Sequence, residues 1–238
     1  MSKILKSFGN ALPNNFKSWF KQTEVGYYIT KKVYQGLWYD PYFKFNLEDK
    51  TLDDYKAAYE KHAKGTPDPD IKEDEIKKIL KHLTGESVME VGFGPGGLLK
   101  ALFGTDFKVG GADISEHYSE LANETAQELG KDTHFHAAPM EELPFEDNSF
   151  DTVVSTHTLE HVSDLEAAVN ELKRVARKRI ILIVPEETES LRSDNYHTQF
   201  FYEPKILADA MAIDDHTIDR VEVPDRGRFD LFYIGNLN

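Results

Sequence analysis

The chain has 238 residues, no cysteine, and 28 Lys+Arg against 42 Asp+Glu, a formal net charge of −14. The missing cysteines exclude a disulfide scaffold, a thiolate nucleophile and any Cys-ligated metal or iron–sulfur site. The acidity argues against a nucleic-acid partner, because phosphate contacts need clustered Lys and Arg. There is no run of 18 apolar residues, so no integral membrane segment is expected. The lysine-bearing N-terminus lacks the apolar stretch of a secretory leader, and a cytoplasmic location follows as the expectation.

Residues 1–50 are rich in aromatics, among them Tyr28, Tyr34, Trp38, Tyr39 and Tyr42, with scattered lysines. They read as short helices. Thr51 reads as the N-cap of a helix over 52–64, with Asp53 and Asp54 in its first turn. Gly65-Thr66-Pro67-Asp68-Pro69-Asp70 is a linker signal. Residues 1–70 are thus expected to form a helical, aromatic-rich extension suited to act as a lid. Residues 71–238 are expected to form the main domain.

That domain opens with a helix over 71–83, whose Ile76, Ile79, Leu80 and Leu83 share a face. Strands are then expected at 88–91, 107–112, 133–136, 150–155, 179–184, 217–223 and 229–234. Helices are expected at 94–103, 115–129, 165–176 and 204–211. The run Ile180-Ile181-Leu182-Ile183-Val184 suits the buried centre of a parallel sheet. The last two strands flank Pro224-Asp225-Arg226-Gly227-Arg228 and read as an antiparallel hairpin. The fold class expected is α/β: a Rossmann-like doubly wound, mostly parallel seven-stranded sheet with an antiparallel C-terminal strand.

Between the first strand and its helix lies Glu90-Val91-Gly92-Phe93-Gly94-Pro95-Gly96-Gly97, and Asp113 follows Gly92 by 21 residues. Glycines there let the backbone turn sharply and approach a ligand closely. An acid at the end of the next strand can accept both hydroxyls of a ribose. Together they indicate a nucleoside site at the carboxyl edge of the sheet.

Glu90-x-Gly92-x-Gly94-x-Gly96 with Asp113-Ile114 resembles the class I S-adenosylmethionine-dependent methyltransferases. The stretch from Glu142-Leu143-Pro144-Phe145 to Ser155, followed by Leu159-Glu160-His161-Val162, is similar to their small-molecule, ubiquinone-type branch. The resemblance implies S-adenosylmethionine as cofactor. It implies that Glu90, Gly92, Gly94 and Gly96 line the methionine and ribose part, that Asp113 binds the ribose hydroxyls and that Ile114 packs on the adenine. Met140 and Glu141 would lie at the adenine edge, Met140 through its backbone N–H. Pro139 stands where many relatives carry an Asp. Ser155 and Thr156 would lie beside the methionine moiety.

The implied activity is in-line methyl transfer to a small-molecule acceptor, a hydroxyl slightly favoured over an amine. His157, just after the fourth strand, is the first candidate for a general base, and His197 the second. His161 reads as structural. His157-Thr158-Leu159-Glu160-His161 also matches the H-x-x-E-H of zinc peptidases. Its place after an apolar strand favours the methyltransferase reading, and no metal is expected. His134 and His136 alternate onto one strand face, and are read as solvated or structural. Tyr28 and Lys32 match a short-chain dehydrogenase pair but precede the glycine turn, which makes the match one of chance. Two alternatives stand beside the main reading: an NAD-dependent oxidoreductase, and a non-catalytic nucleoside-binding regulatory subunit.

Overall fold

The computed structural model describes residues 51, 54, 56–57, 59–60, 71–133, 135–188, 197–223 and 228–237. The early aromatics, the linker at 65–70 and His134 lie outside the described residues. Thr51 does cap a helix: its Oγ1 accepts the Asp54 N–H at 3.3 Å, while its own N–H donates to Asp54 Oδ2 at 2.8 Å.

The element order is α1 (Glu73–His82), β1 (Ser87–Val91), α2 (Gly97–Phe103), β2 (Lys108–Asp113), α3 (Glu116–Glu128), β3 (Phe135–Ala137), β4 (Phe150–Thr156), a 3₁₀ turn (Leu159–His161), α4 (Leu165–Val175), β5 (Ala176–Glu186), α5 (Pro204–Met211), β6 (His216–Val223) and β7 (Arg228–Asn236). They build one seven-stranded sheet in the order β3-β2-β1-β4-β5-β7-β6. Neighbours from β3 to β5 are parallel, and β7 is antiparallel to both β5 and β6.

One helix starts later than expected. The helix expected from 94 begins at Gly97, because residues 92–96 form the turn itself, with Gly92, Gly94 and Gly96 all at positive φ. The C-terminal strand is antiparallel, as expected. β7 lies between β5 and β6, and its burial explains the placement: Asp230 to Ile234 are all buried, whereas β6 is mostly exposed.

Each sheet face is covered. One core packs Met89, Val153, Ile180 and Leu182 against α4 and α5 through Leu172 and Leu207. The other packs Val88, Val154, Ile181 and Ile183 against α1 and α2 through Ile79, Leu98 and Leu102. The alternation of β5 residues between the two cores is the period of two of a strand buried on both faces.

Candidate active site

The carboxyl ends of β1 and β2 form the first half of the site. Gly92 donates its N–H to the Ala112 carbonyl at 2.7 Å, which pins the turn to the neighbouring strand. At Gly92, φ is +73° and a Cβ would lie 2.3 Å from the side chain of Thr158. At Gly94 a Cβ would meet no atom within 4 Å, so the turn faces open space there. Asp113, at the end of β2, accepts the Gly94 N–H and the Ser115 N–H, each at 2.8 Å. Both carboxylate oxygens are thus engaged by backbone. Burial pushes the Asp113 carboxyl up, and these two amides pull against it. Ser115 caps α3, and Glu60 adds its carboxylate at the same helix start by accepting the Glu116 and His117 amides.

Glu90 is different. It is 2% exposed, and its Oε2 finds no hydrogen-bond donor. Burial, and secondly the charge of Asp113, push its carboxyl well above the usual range. Ser155 Oγ, on the adjacent strand β4, is also buried without a partner. Such orphans are rare in a folded core and mark a place where a ligand is expected.

Of the remaining cofactor candidates, Ile114 is half-buried beside Asp113, Thr156 is buried at the end of β4, and Met140 is buried in the core. Glu141 is turned elsewhere. Its Oε1 accepts the Ser163 N–H and hydroxyl, at 2.8 and 2.7 Å, so its carboxylate holds the loop before α4.

The second half gathers at the ends of β4, β5 and β7. His157 adopts φ +50°, a left-handed conformation uncommon outside glycine, and its N–H donates to the Ile183 carbonyl at 2.8 Å. Its Nδ1 lies 3.7 Å from Glu160 Oε1 and its Nε2 3.9 Å from Asp230 Oδ2. Burial disfavours the imidazolium, but Glu160, Asp230 and Glu75 outweigh it, and the His157 pKa is raised. Glu160 is 1% exposed. Burial pushes its carboxyl up, and the surrounding His157, His161 and His197 overcome this and hold it at about 2. His197 is buried, and its Nδ1 contacts Glu187 Oε1. The structure therefore brings both histidine candidates to one cluster. It adds Glu160, Asp230 and Glu187, which sequence reasoning did not single out. The buried placement of Glu160 was the available signal, since it lies in the Leu-Glu-His-Val stretch.

Residues 89–184 match the family model described as "Methyltransferase domain". This segment is a methyltransferase domain. The ubiquinone/menaquinone biosynthesis C-methyltransferase UbiE of Hahella chejuensis is 30% identical over 141 residues, 56% of this chain and 57% of that protein. The chloroplastic tocopherol O-methyltransferase of Arabidopsis thaliana is 37% identical over 118 residues, 47% of this chain and 32% of that protein. The chain thus spans between a third and three fifths of these two relatives. The YcgJ protein of Bacillus subtilis has a solved structure that superposes with a TM-score of 0.55, at 19% identity, over 69% of this chain and 98% of that one, which shows the shared fold.

The cofactor of such a domain is S-adenosylmethionine. The residues present fit it. A carboxylate pair at Glu90 and Asp113 suits a ligand with a cationic head and ribose hydroxyl donors. Among the described residues no helix is long and apolar enough to cross a membrane.

Proposed function

We propose that this protein transfers a methyl group from S-adenosylmethionine to a small-molecule acceptor, with a hydroxyl favoured over an amine. The observation that carries the reading is Glu90: a buried carboxylate oxygen without a donor, beside a glycine turn and a backbone-held Asp113. When bound, the cofactor supplies a methyl group already activated by its positive sulfur.

The chain's own residues do the rest. Glu90 receives donors of the methionine and ribose part, and Asp113 receives the ribose hydroxyls. Gly94 lets the ligand approach the backbone, while Ile114 and the Met140 backbone line the adenine. Ser155 and Thr156 flank the reacting end. Alignment of donor and acceptor in such a pocket is worth about 7–11 kcal/mol in well-oriented systems. His157 removes the hydroxyl proton at Nε2 or Nδ1, held between Glu160 and Asp230, with His197 as second candidate. Residues 1–70 serve as the lid that excludes water.

The first test is thermal unfolding with S-adenosylmethionine, S-adenosylhomocysteine or NAD added alone. Ligand at 100 times its Kd stabilises by about 2.7 kcal/mol, a rise of roughly 5–11 °C for a chain of this size. The two sulfur nucleosides should give that rise, and a rise with NAD alone would sink the reading. Once an acceptor is found, His157→Gln should lower turnover about 10²–10⁴-fold with cofactor affinity kept. Full turnover in that variant would reassign the base to His197.

A further inference from the structure

We propose that Glu160, His161 and His197 bind one divalent metal ion, with Zn²⁺ the species best matched to the ligand set. Each of the three offers a ligand atom, and these atoms lie within 4.8 Å of one another. Tetrahedral zinc with bonds of 2.0–2.2 Å needs its ligand atoms about 3.4 Å apart, so a small inward turn of the rings completes the set.

The ligands come from two segments that the backbone already clamps. Glu160 and His161 sit in the 3₁₀ turn after β4, and His197 in the connection after β5. The Thr198 and Gln199 amides both donate to the Glu160 carbonyl, at 2.7 and 3.0 Å. The Thr198 hydroxyl donates to the Val162 carbonyl at 2.6 Å. The two imidazoles meet edge to face, with centroids 4.7 Å apart and planes at 77°.

Two further observations point to a cation. Glu160 is 1% exposed and its Oε1 faces His157, yet its Oε2 has no hydrogen-bond partner. A buried carboxylate oxygen left so is destabilising, and a bound cation removes the penalty. The second is Glu187 against His197 Nδ1. A carboxylate on one imidazole nitrogen is the recurrent outer support of a metal-bound histidine, and it presents Nε2 as the ligand atom.

Two imidazoles and one carboxylate suit zinc better than magnesium or calcium, which take oxygen ligands. Three protein ligands leave a fourth position for an exchangeable oxygen. The H-x-x-E-H match in the sequence is therefore half right. His161 and Glu160 take part, but His197 replaces His157, whose nitrogens face Glu160 and Asp230 instead. Coordination of an acceptor oxygen in the open position rests on the methyl-transfer reading; the binding of metal does not.

The test is calorimetric titration of Zn²⁺ into the metal-free full-length protein without cofactor, with S-adenosylhomocysteine titrated separately. One Zn²⁺ per chain should bind. His161→Gln and His197→Gln should each abolish the stoichiometric phase, and Glu187→Gln should weaken it about 10–100-fold. His136→Gln, on exposed β3, should leave it unchanged. Melting of the metal-free variants checks that they fold. No saturable Zn²⁺ binding, or binding that survives both His161→Gln and His197→Gln, overturns the metal site. A chain that binds Zn²⁺ but no S-adenosylhomocysteine keeps the metal site and loses the cofactor reading, and the reverse result separates them the other way.

Discussion

At the end of β2 the carboxylate is answered by backbone, whereas at the ends of β4, β5 and β7 the polar groups are answered by one another. Asp113 is held by two amides within three residues of a turn or cap. Glu160, His157, His197, Asp230 and Glu187 instead lean on each other's side chains. Backbone-held groups are fixed once the strands pair, so the nucleoside half is preorganised for one ligand. Side-chain clusters can exchange partners, which suits a half that must hold a proton, an acceptor or an ion. Thr158 joins the two. Its hydroxyl lies 3.3 Å from the Gly92 carbonyl and its side chain fills the space over Gly92.

The largest effect should come from breaking that seam. Gly92→Ala combines a left-handed φ with a Cβ 2.3 Å from Thr158. The two penalties together amount to about 2–5 kcal/mol, or roughly 10 °C in Tm for a chain of this length. Both S-adenosylhomocysteine affinity and any His157-dependent turnover should fall. An unchanged Tm would show that the two halves are not coupled through Thr158.

How much of this was legible in the sequence follows the same division. The glycine turn, the place of Asp113 at the end of the second strand and the parallel core strands are local patterns, set by backbone geometry over a few residues, and each lies where the pattern put it. The second half is not local. Glu160 and His197 are 37 residues apart and Asp230 is 70 from Glu160, so only the sheet order brings them together. Placing β7 inside the sheet requires knowing which hairpin strand is buried. Its Leu231-Phe232-Tyr233-Ile234 run hints at this, but two adjacent strands with the same hairpin read alike. The engagement of Glu141 with Ser163 is non-local in the same way, since Ser163 lies beyond β4.

Glu90→Gln sharpens the contrast between the unanswered and the answered carboxylate. Loss of a charged acceptor should lower S-adenosylhomocysteine affinity by about 1.5–3 kcal/mol, roughly 10–100-fold. Stability should move the other way. The raised pKa means that the folded chain keeps the Glu90 proton where the unfolded chain has lost it. That contribution is complete below the unfolded value of about 4.3 and is lost as pH rises. The ligand-free variant should therefore match the parent near pH 4 and become the more stable of the two as pH rises. A gap that closes with rising pH would contradict the burial of an unpaired carboxyl.

Gly94→Ala tests the nucleoside half alone. Its Cβ enters open space, so only the left-handed φ of +48° matters to the fold, about 1–2 kcal/mol. If that space belongs to the cofactor, affinity for S-adenosylhomocysteine falls at least tenfold while Zn²⁺ binding is kept. Equal loss of both would mean that the halves are one unit.

The smallest effect is expected at Ser115, and it asks whether backbone alone holds Asp113. The Ser115 hydroxyl accepts the Tyr118 N–H at 3.3 Å and caps α3, while its N–H donates to Asp113. Ser115→Ala removes the first bond and leaves the second. The cap is worth about 1 kcal/mol, a Tm fall of roughly 2–4 °C. Glu60 still serves the adjoining amides of Glu116 and His117, which bounds the loss. Cofactor affinity should stay within about twofold, the limit for sites that do not share a partner. A tenfold loss would instead mean that Asp113 is positioned by the start of α3 as a whole, and the nucleoside half would then depend on side-chain support as the other half does.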